Sequence, residues 1–161
     1  MAMPTGKWRA MRPADIAPVT AISQTVHGDY AETAAVYAER LALYPAGCFA
    51  FAQDGQVAGF LVSHPWLRDR PPALNAPLGG IPDAADGYYL HDIALLPSTR
   101  GSGAGTEILA LVAAHARAAG FRDITLVAVN GADGFWSSHG FAHVEGVASY
   151  GPGTFMMRRA L

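Results

Sequence analysis

The chain has 161 residues, of which 51% are hydrophobic and only 15% are charged, with a formal net charge of -2. This length suits one domain that buries most of its apolar surface without disulfides, and the composition excludes an intrinsically disordered chain. The slightly negative net charge lacks the excess of basic residues that proteins use to bind the phosphates of nucleic acids. The single cysteine, Cys48, excludes a disulfide framework and a thiolate zinc cluster.

Membrane, secretory and metal-binding segments are not expected either. No run approaches the stretch of about 18 apolar residues that a spanning helix needs. Arg9, Arg12 and Asp15 stand where a signal peptide would have its apolar region. No cluster of His, Cys and carboxylate residues has metal-ligand spacing. We therefore expect a soluble, cytoplasmic protein with one domain over residues 1–161, no metal and no membrane partner.

The first elements in chain order are a strand and two helices. Residues 7–12 predict a short strand that ends at Pro13. Residues 16–26 carry apolar side chains at helical spacing behind Asp15, which is a candidate N-cap. A second helical stretch is predicted over residues 32–44.

A hairpin and a long connection come next. The dipeptide Asp54-Gly55 suits a type I′ turn between strands over 48–53 and 56–63. The connection over 64–86 contains five prolines. Structureless connections of this length are uncommon in compact domains and are often functional, so this segment is a candidate lid.

The second half predicts two strand–helix units and a closing pair of strands. A buried strand over 88–96 leads through a glycine-rich turn over 100–105 into a helix that ends near Ala119. The aliphatic run over 124–129 is typical of a strand covered on both faces. A short helix from about residue 133 and two strands complete the order β-α-α-β-β-β-α-β-α-β-β. The predicted fold class is mixed α/β.

The glycine-rich turn, Arg100-Gly101-Ser102-Gly103-Ala104-Gly105, is a candidate phosphate site. Such a turn presents backbone N–H groups at the positive end of a helix, and glycine lets a ligand come close. Arg100 adds a planar charged donor. The dinucleotide fingerprint fails at Thr106, and the nucleotide P-loop fails because Lys7 is the only lysine. A ligand-free loop in a chain rich in Ala and Gly is the alternative.

A third pattern fits this turn. Arg-x-x-Gly-x-Gly/Ala, entered from a strand that ends in a proline and followed by a long helix, resembles the signature of the GNAT-type N-acetyltransferases. The segment Phe135-Trp136-Ser137-Ser138-His139-Gly140-Phe141 resembles the family's Phe-Tyr-x-x-x-Gly-Phe segment. The order of elements agrees over nearly the whole chain, although the motifs cover only about residues 88 to 141. The resemblance implies the GNAT acyl-CoA N-acyltransferase fold, whose central, mostly antiparallel sheet is splayed between its fourth and fifth strands and flanked by helices.

The resemblance also implies acetyl-CoA as cosubstrate. In the family, the glycine turn holds the pyrophosphate, and the preceding strand pairs with the pantetheine arm. The residues that match these roles by position are Ile93, Ala94 and Leu95 for pantetheine, Arg100, Gly101, Ser102, Gly103, Ala104, Gly105 and Thr106 for the phosphates, Asn130 where the strands part, and Trp136 against the cofactor arm. An ordinary residue of the turn after the strand is the alternative for Asn130.

The implied reaction, acetyl transfer to an amine, needs a base. An amine with a pKa of about 10.4 costs roughly 4–5 kcal/mol to deprotonate near pH 7, and a positioned base contributes typically about 10²–10⁴-fold in rate. His91 is the predicted base, because it lies on the cofactor strand where many relatives carry a glutamate, and imidazole titrates near neutrality. Asp92 is the second candidate, which strand alternation places on the opposite face unless a bulge intervenes. A core histidine and a structural carboxylate are the respective alternatives.

Two further groups act on the thioester. The backbone N–H of Ile93 is the candidate that polarises its carbonyl. The general acid is unassigned, because Trp136 stands where many relatives have the tyrosine that protonates the thiolate. If the thiol resembles cysteine, with a pKa of about 8.5, its departure as thiolate near pH 7 costs only about 2 kcal/mol. Ser137, His139, Tyr150 or water could meet that need.

The acceptor, a small-molecule or peptide amine, enters in the family opposite the cofactor, between the loop joining the first two helices and the last strand pair. The predicted acceptor-binding residues are Tyr30, Glu32, His64 and Tyr150, with His27, Asp29, Trp66, Asn75 and Glu145 nearby in these segments. Acidic and aromatic side chains there favour a cationic amine. Solvated loop residues are the alternative for each, and a homodimer is possible.

Three functions are therefore compared. The first is direct acetyl transfer from acetyl-CoA to an amine in a ternary complex. The second is a non-catalytic acyl-CoA-binding or sensing module, which the missing tyrosine suggests. The third is a nucleotide-binding α/β protein that shares only the glycine turn.

Overall fold

The computed structural model describes residues 6–146 and 149–161. Over these ranges the strands and α-helices are β1 (Gly6–Ala10), α1 (Ile16–His27), α2 (Ala34–Leu43), β2 (Cys48–Gln53), β3 (Gln56–Trp66), β4 (Gly87–Leu95), α3 (Ala104–Ala118), β5 (Asp123–Ala128), α4 (Asp133–Ser138), β6 (Ala142–His143) and β7 (Phe155–Ala160). The predicted order of elements is confirmed. The connection predicted over 64–86 is shorter, because β3 continues to Trp66.

The strands form one sheet in the order β1-β2-β3-β4-β5-β7-β6. β4 and β5 are parallel, and the other neighbouring pairs are antiparallel. β5 pairs with β4 only at Tyr88 and Tyr89, so the two strands part beyond Tyr89. The predicted splay between the fourth and fifth strands is thus confirmed.

Helices cover both faces of the sheet. On one face, α3 buries Ile108 and Val112 against Leu90 of β4 and Leu126 of β5. On the other face, α1 and α2 pack on β2 and β3 around Tyr37 and other fully buried side chains. Two-sided burial explains why the central strands read as continuous apolar runs.

Two local signals had different outcomes. Asp54 and Gly55 have φ values of 53° and 77°, as the type I′ turn requires. The prediction that Asp15 caps α1 is wrong, because its carboxylate makes no capping hydrogen bond to α1. Instead it accepts a hydrogen bond from the Arg12 N–H and pairs with the Arg9 guanidinium at 2.7 Å. A guanidinium partner six residues earlier competes successfully with the helix terminus for the same carboxylate.

The connection between β3 and β4 is tied to α2. The Glu39 carboxylate accepts hydrogen bonds from the N–H groups of Leu78 and Gly79, and Arg40 donates to the carbonyl of Ala76. These bonds hold residues 76–79 of the connection against α2. Leu74, within the same connection, lines a cavity between β4 and β5.

Among the described residues, no helix has the length and apolar character that crossing a bilayer requires. Over the same residues, no group of three or more His, Cys, Asp or Glu side chains is arranged to hold a metal ion.

Candidate active site

A cavity of about 550 Å³ lies in the gap between β4 and β5. It begins at the glycine-rich turn before α3, follows β4 and ends under the α1–α2 loop. Beyond Tyr89, β5 no longer pairs with β4, so the edge of β4 that faces the cavity has no strand partner there. Backbone N–H and C=O groups of this edge are available to an extended ligand.

The glycine-rich turn forms one end of the cavity. Gly101 and Gly103 have φ values of 79° and 78°, and a Cβ at either position would meet no atom within 4 Å. Gly103, Gly105 and Thr106 line the cavity, where the first-turn amides of α3 have no partner within the helix. This open cradle at a helix N-terminus fits a diphosphate.

Other predicted cofactor residues lie around the same channel. Ile93, Ala94 and Leu95 line it along β4, Arg100 and Ala104 line it at the turn, and Asn130 and Trp136 line the opposite wall. Among the described residues, the wall does not include Ser102, whose hydroxyl donates to the carbonyl of Thr99 and so shapes the turn. The channel fits a pantetheine arm, because it joins an unpaired strand edge to an anion cradle.

A bulge in β4 decides which side chains face the acceptor end. β3 pairs Val62 with Asp92 but Ser63 with Leu90, so His91 is an extra residue in β4. A bulge of this kind interrupts the alternation of side chains. His91 and Asp92 therefore both project toward α1 and α2, where each finds a partner.

His91 pairs with Glu32. Its Nε2 lies 2.6 Å from Oε1 of Glu32, and the two side chains are only 1% and 3% exposed. The other carboxylate oxygen of Glu32 accepts a hydrogen bond from the N–H of Asn75, which belongs to the connection. Nδ1 of His91 is buried and has no hydrogen-bond partner among the described residues. A neutral His91 that donates Nε2–H to Glu32 keeps Nδ1 as its proton-accepting nitrogen.

Asp92 forms a second pair with His27, the last residue of α1. Nε2 of His27 lies 2.5 Å from Oδ1 of Asp92, and Oδ2 accepts a hydrogen bond of 2.6 Å from the Tyr37 hydroxyl. Burial disfavours the imidazolium of His27, but the hydrogen bond and charge of Asp92, with the charge of Glu32, outweigh it and raise the pKa of His27 above 6.5. Burial, reinforced by the charge of Asp92, also raises the pKa of Tyr37.

Three of the four predicted acceptor-binding residues line the cavity, and the fourth does not. Tyr30, Glu32 and Tyr150 line the cavity. His64 lies outside the described wall, with its ring packed against those of Tyr89 and His91, and burial lowers its pKa to about 3. The Tyr150 hydroxyl donates to the carbonyl of Pro72 and contacts the Tyr89 hydroxyl, and burial raises its pKa to about 12.

Sequence reasoning missed the partnership of His27 and Tyr37 with Asp92. His27 is predicted only as a residue near the acceptor, and Tyr37 falls in the helical stretch predicted over residues 32–44 without a role of its own. The two contacts join residues 65 and 55 positions apart, so no local spacing indicates them. The helical pattern of residues 32–44 could have shown only that Tyr37 faces the sheet.

Tyr37→Phe is expected to destabilise the fold by about 1.5–3 kcal/mol, because it removes a buried hydrogen bond to a carboxylate. Urea unfolding followed by circular dichroism measures this change. Tyr44→Phe is the matched control, since the Tyr44 hydroxyl bonds a histidine nitrogen, Nε2 of His115, at 2.7 Å. We expect that loss to cost about 1 kcal/mol. Equal losses in the two variants would contradict a stronger bond at Asp92.

The fold and the cavity together define an α/β protein with a splayed sheet and an open cavity between β4 and β5. Residues 16–141 match the family model described as "Acetyltransferase (GNAT) family", and the chain belongs to this family. It is accordingly an acyltransferase with acetyl-CoA as cosubstrate, and the predicted resemblance is confirmed.

Solved structures show the same fold. Ard1 from Thermoplasma volcanium is 18% identical with a TM-score of 0.76, and the alignment covers 97% of each chain. The GphF GNAT-like decarboxylase in complex with isobutyryl-CoA is 16% identical with a TM-score of 0.81, covering 96% of this chain and 98% of that one. PaiA N-acetyltransferase from Thermoplasma acidophilum, in complex with coenzyme A, is 13% identical with a TM-score of 0.71, covering 98% and 99%. Sequence comparison with curated proteins yields no significant match.

Proposed function

We propose that this chain transfers the acetyl group of acetyl-CoA to a primary amine by direct attack in a ternary complex. The observation that supports this most is the content of one cavity: a diphosphate cradle at one end, an unpaired strand edge along it and two histidine–carboxylate pairs at the other end. A thioester bound along β4 would have its acyl end directed toward these pairs. An amine would then meet it from the side of the α1–α2 loop.

The acceptor end favours a cationic amine. Two carboxylates, Glu32 and Asp92, and two tyrosines, Tyr30 and Tyr150, line it. Carboxylates attract an ammonium group, and aromatic rings cover its alkyl part. The acceptor is a small-molecule or peptide amine that arrives charged and must lose a proton before it attacks.

His91 is the proposed base. Glu32 fixes its ring through Nε2, which leaves Nδ1 as the proton acceptor. The free amine then attacks the thioester carbonyl, which the backbone N–H of Ile93 polarises. Both oxygens of Asp92 are engaged by His27 and Tyr37, so Asp92 itself is a positioning residue in this proposal.

The test is release of CoA, followed with a thiol reagent, over a panel of diamines, arylalkylamines, amino acids and peptides with free N-termini. We expect release that depends on the amine and an equal amount of N-acetylated product by mass spectrometry. The matched control for each productive amine is its N,N-dimethyl analogue, which carries the same charge but cannot form a stable amide. Saturable binding of acetyl-CoA without transfer to any amine would contradict the proposal and favour the acyl-CoA-binding module.

A further inference from the structure

A proton donor assists the departure of the CoA thiolate. Trp136 stands at the position where many relatives have a tyrosine in this role. This side chain is buried, packs on Phe141 with ring centroids 5.3 Å apart, and has an indole N–H that does not act as an acid near neutral pH. The hydroxyl of Tyr150 is already donated to the carbonyl of Pro72. His91 is assigned the opposite proton transfer in the proposed function. A side chain that donates this proton in place of water must therefore be another one that lines the cavity.

His27 has the position that this donor needs. Its carbonyl accepts a hydrogen bond of 3.2 Å from Nδ2 of Asn130, which lies two residues after the end of β5, across the gap from β4. This bond ties the end of α1 to the far side of the gap, beyond the point where the two strands part. The His27 side chain lines the cavity and is 15% exposed, so a bound thioester can reach its ring.

The surroundings of His27 hold its ring in one orientation. Asp92 on β4 occupies Nε2 and is itself fixed by Tyr37 of α2, which leaves Nδ1 to face other groups. The charge of Glu32 in the α1–α2 loop also favours the imidazolium, and the C-terminal end of α1 adds partial negative charge. Asn130 brings no charge from the β5 side. The net result is an imidazole whose protonated form is favoured despite burial.

We propose that His27 is the general acid that protonates the departing CoA thiolate, with Asp92 as its positioning residue. This role rests on the proposed acetyl transfer. The ammonium loses one proton to His91, and its nitrogen forms a bond to the thioester carbon. As the C–S bond breaks, the sulfur takes the proton of His27, and the new amide nitrogen loses its second proton. The second proton of the nitrogen and the proton held by His91 pass to solvent, and His27 takes one proton back from solvent, so the sum is ammonium and acetyl-CoA giving amide, CoA thiol and one proton.

The direction of the pH dependence follows from this role. An acid must be protonated to act, so its contribution is present below its pKa and is lost as the pH rises through that pKa. Because the pKa of His27 is raised, this loss occurs at a higher pH than an ordinary imidazole, with a pKa of 6.5, would show. His27→Gln keeps a donor for Asp92 but does not titrate.

The experiment compares single-turnover acetyl transfer, over a range of pH, in the wild type, His27→Gln and His143→Gln. His143 is a matched control, because it also pairs with a carboxylate, Asp133 at 3.3 Å, but lies outside the described wall of the cavity. We expect His27→Gln to be about 10- to 30-fold slower near pH 7 and to lose the fall in rate that the wild type shows as the pH rises, with the affinity for acetyl-CoA unchanged. His143→Gln should match the wild type.

Chemical rescue separates an acid from a structural residue. Added imidazole should restore His27→Ala, and the ratio of rescued to unrescued rate should grow as the pH falls, because imidazolium is the donor. A ratio that grows with rising pH, or His27→Gln with the wild-type pH profile, overturns the role. Loss of the fall in rate with rising pH in His139→Gln alone would assign it to His139, which also lines the cavity. A wild-type chain that acetylates no amine overturns the proposed function itself.

Discussion

Gly103→Val is expected to weaken acetyl-CoA binding about 100-fold, because this position has a φ of 78° and immediately precedes α3. A β-branched residue in the left-handed region is strained by roughly 1–3 kcal/mol, and the turn relieves this strain by changing its shape. The N–H groups that would bind the diphosphate then no longer converge. Isothermal titration with acetyl-CoA measures the dissociation constant.

Gly120→Val is the control for this experiment. Gly120 has a φ of 93° just past the other end of α3, and it lies outside the described wall of the cavity. Strain at Gly120 should lower Tm about as much as strain at Gly103 does, but it should leave the affinity for acetyl-CoA unchanged. Arg100→Ala should weaken binding less, about 10-fold, since its exposed guanidinium is screened by solvent. Equal affinities in Gly103→Val and Gly120→Val would show that the turn does not hold the diphosphate.

His91→Ala is expected to slow single-turnover acetyl transfer about 100-fold or more, with the affinity for acetyl-CoA nearly intact. The change removes the imidazole that is proposed to accept the proton of the amine, and it leaves the Glu32 carboxylate buried without its partner. Quenched-flow measurement of the N-acetylated product reports the rate. Titration with acetyl-CoA reports the affinity.

A second variant separates the two effects of this change. His91→Gln keeps a hydrogen-bond donor near Glu32 but takes up no proton, so a base at this position predicts an equally slow variant. If His91→Gln retains the wild-type rate, the residue only positions Glu32 and the Asn75 backbone that Glu32 holds. If His91→Ala is as fast as the wild type, the base lies elsewhere.

Local signals sufficed for the glycine turn and the order of elements. A run of glycines between an aliphatic strand and an apolar helix constrains the backbone within a few residues, whatever the rest of the chain does. The positive φ values of Gly101 and Gly103 are such a local property. The wrong prediction for Asp15 also has a local cause. The guanidinium of Arg9 competes for its carboxylate, and the capping rule does not consider such a partner.

Local sequence signals did not predict which way the side chains point at the acceptor end of the cavity. The sequence left open whether His91 and Asp92 share a face, because that depends on a bulge between β3 and β4. His64 was expected near the acceptor, yet its ring lies buried against Tyr89 and His91. An alternation of polar and apolar residues does not reveal where a register shift occurs.

The amino-acid order alone therefore determined the fold class and the glycine-rich turn, since these depend on short-range backbone preferences, and its motifs carried the family resemblance that implies an acyl-CoA cosubstrate. Only the tertiary structure decided which acid–base groups meet. The contact between His27 and Asp92 closes over 65 residues and requires α1, α2 and β4 to be packed together first. Pairings of that kind arise from how whole elements bury their apolar faces, which no stretch of the chain encodes by itself.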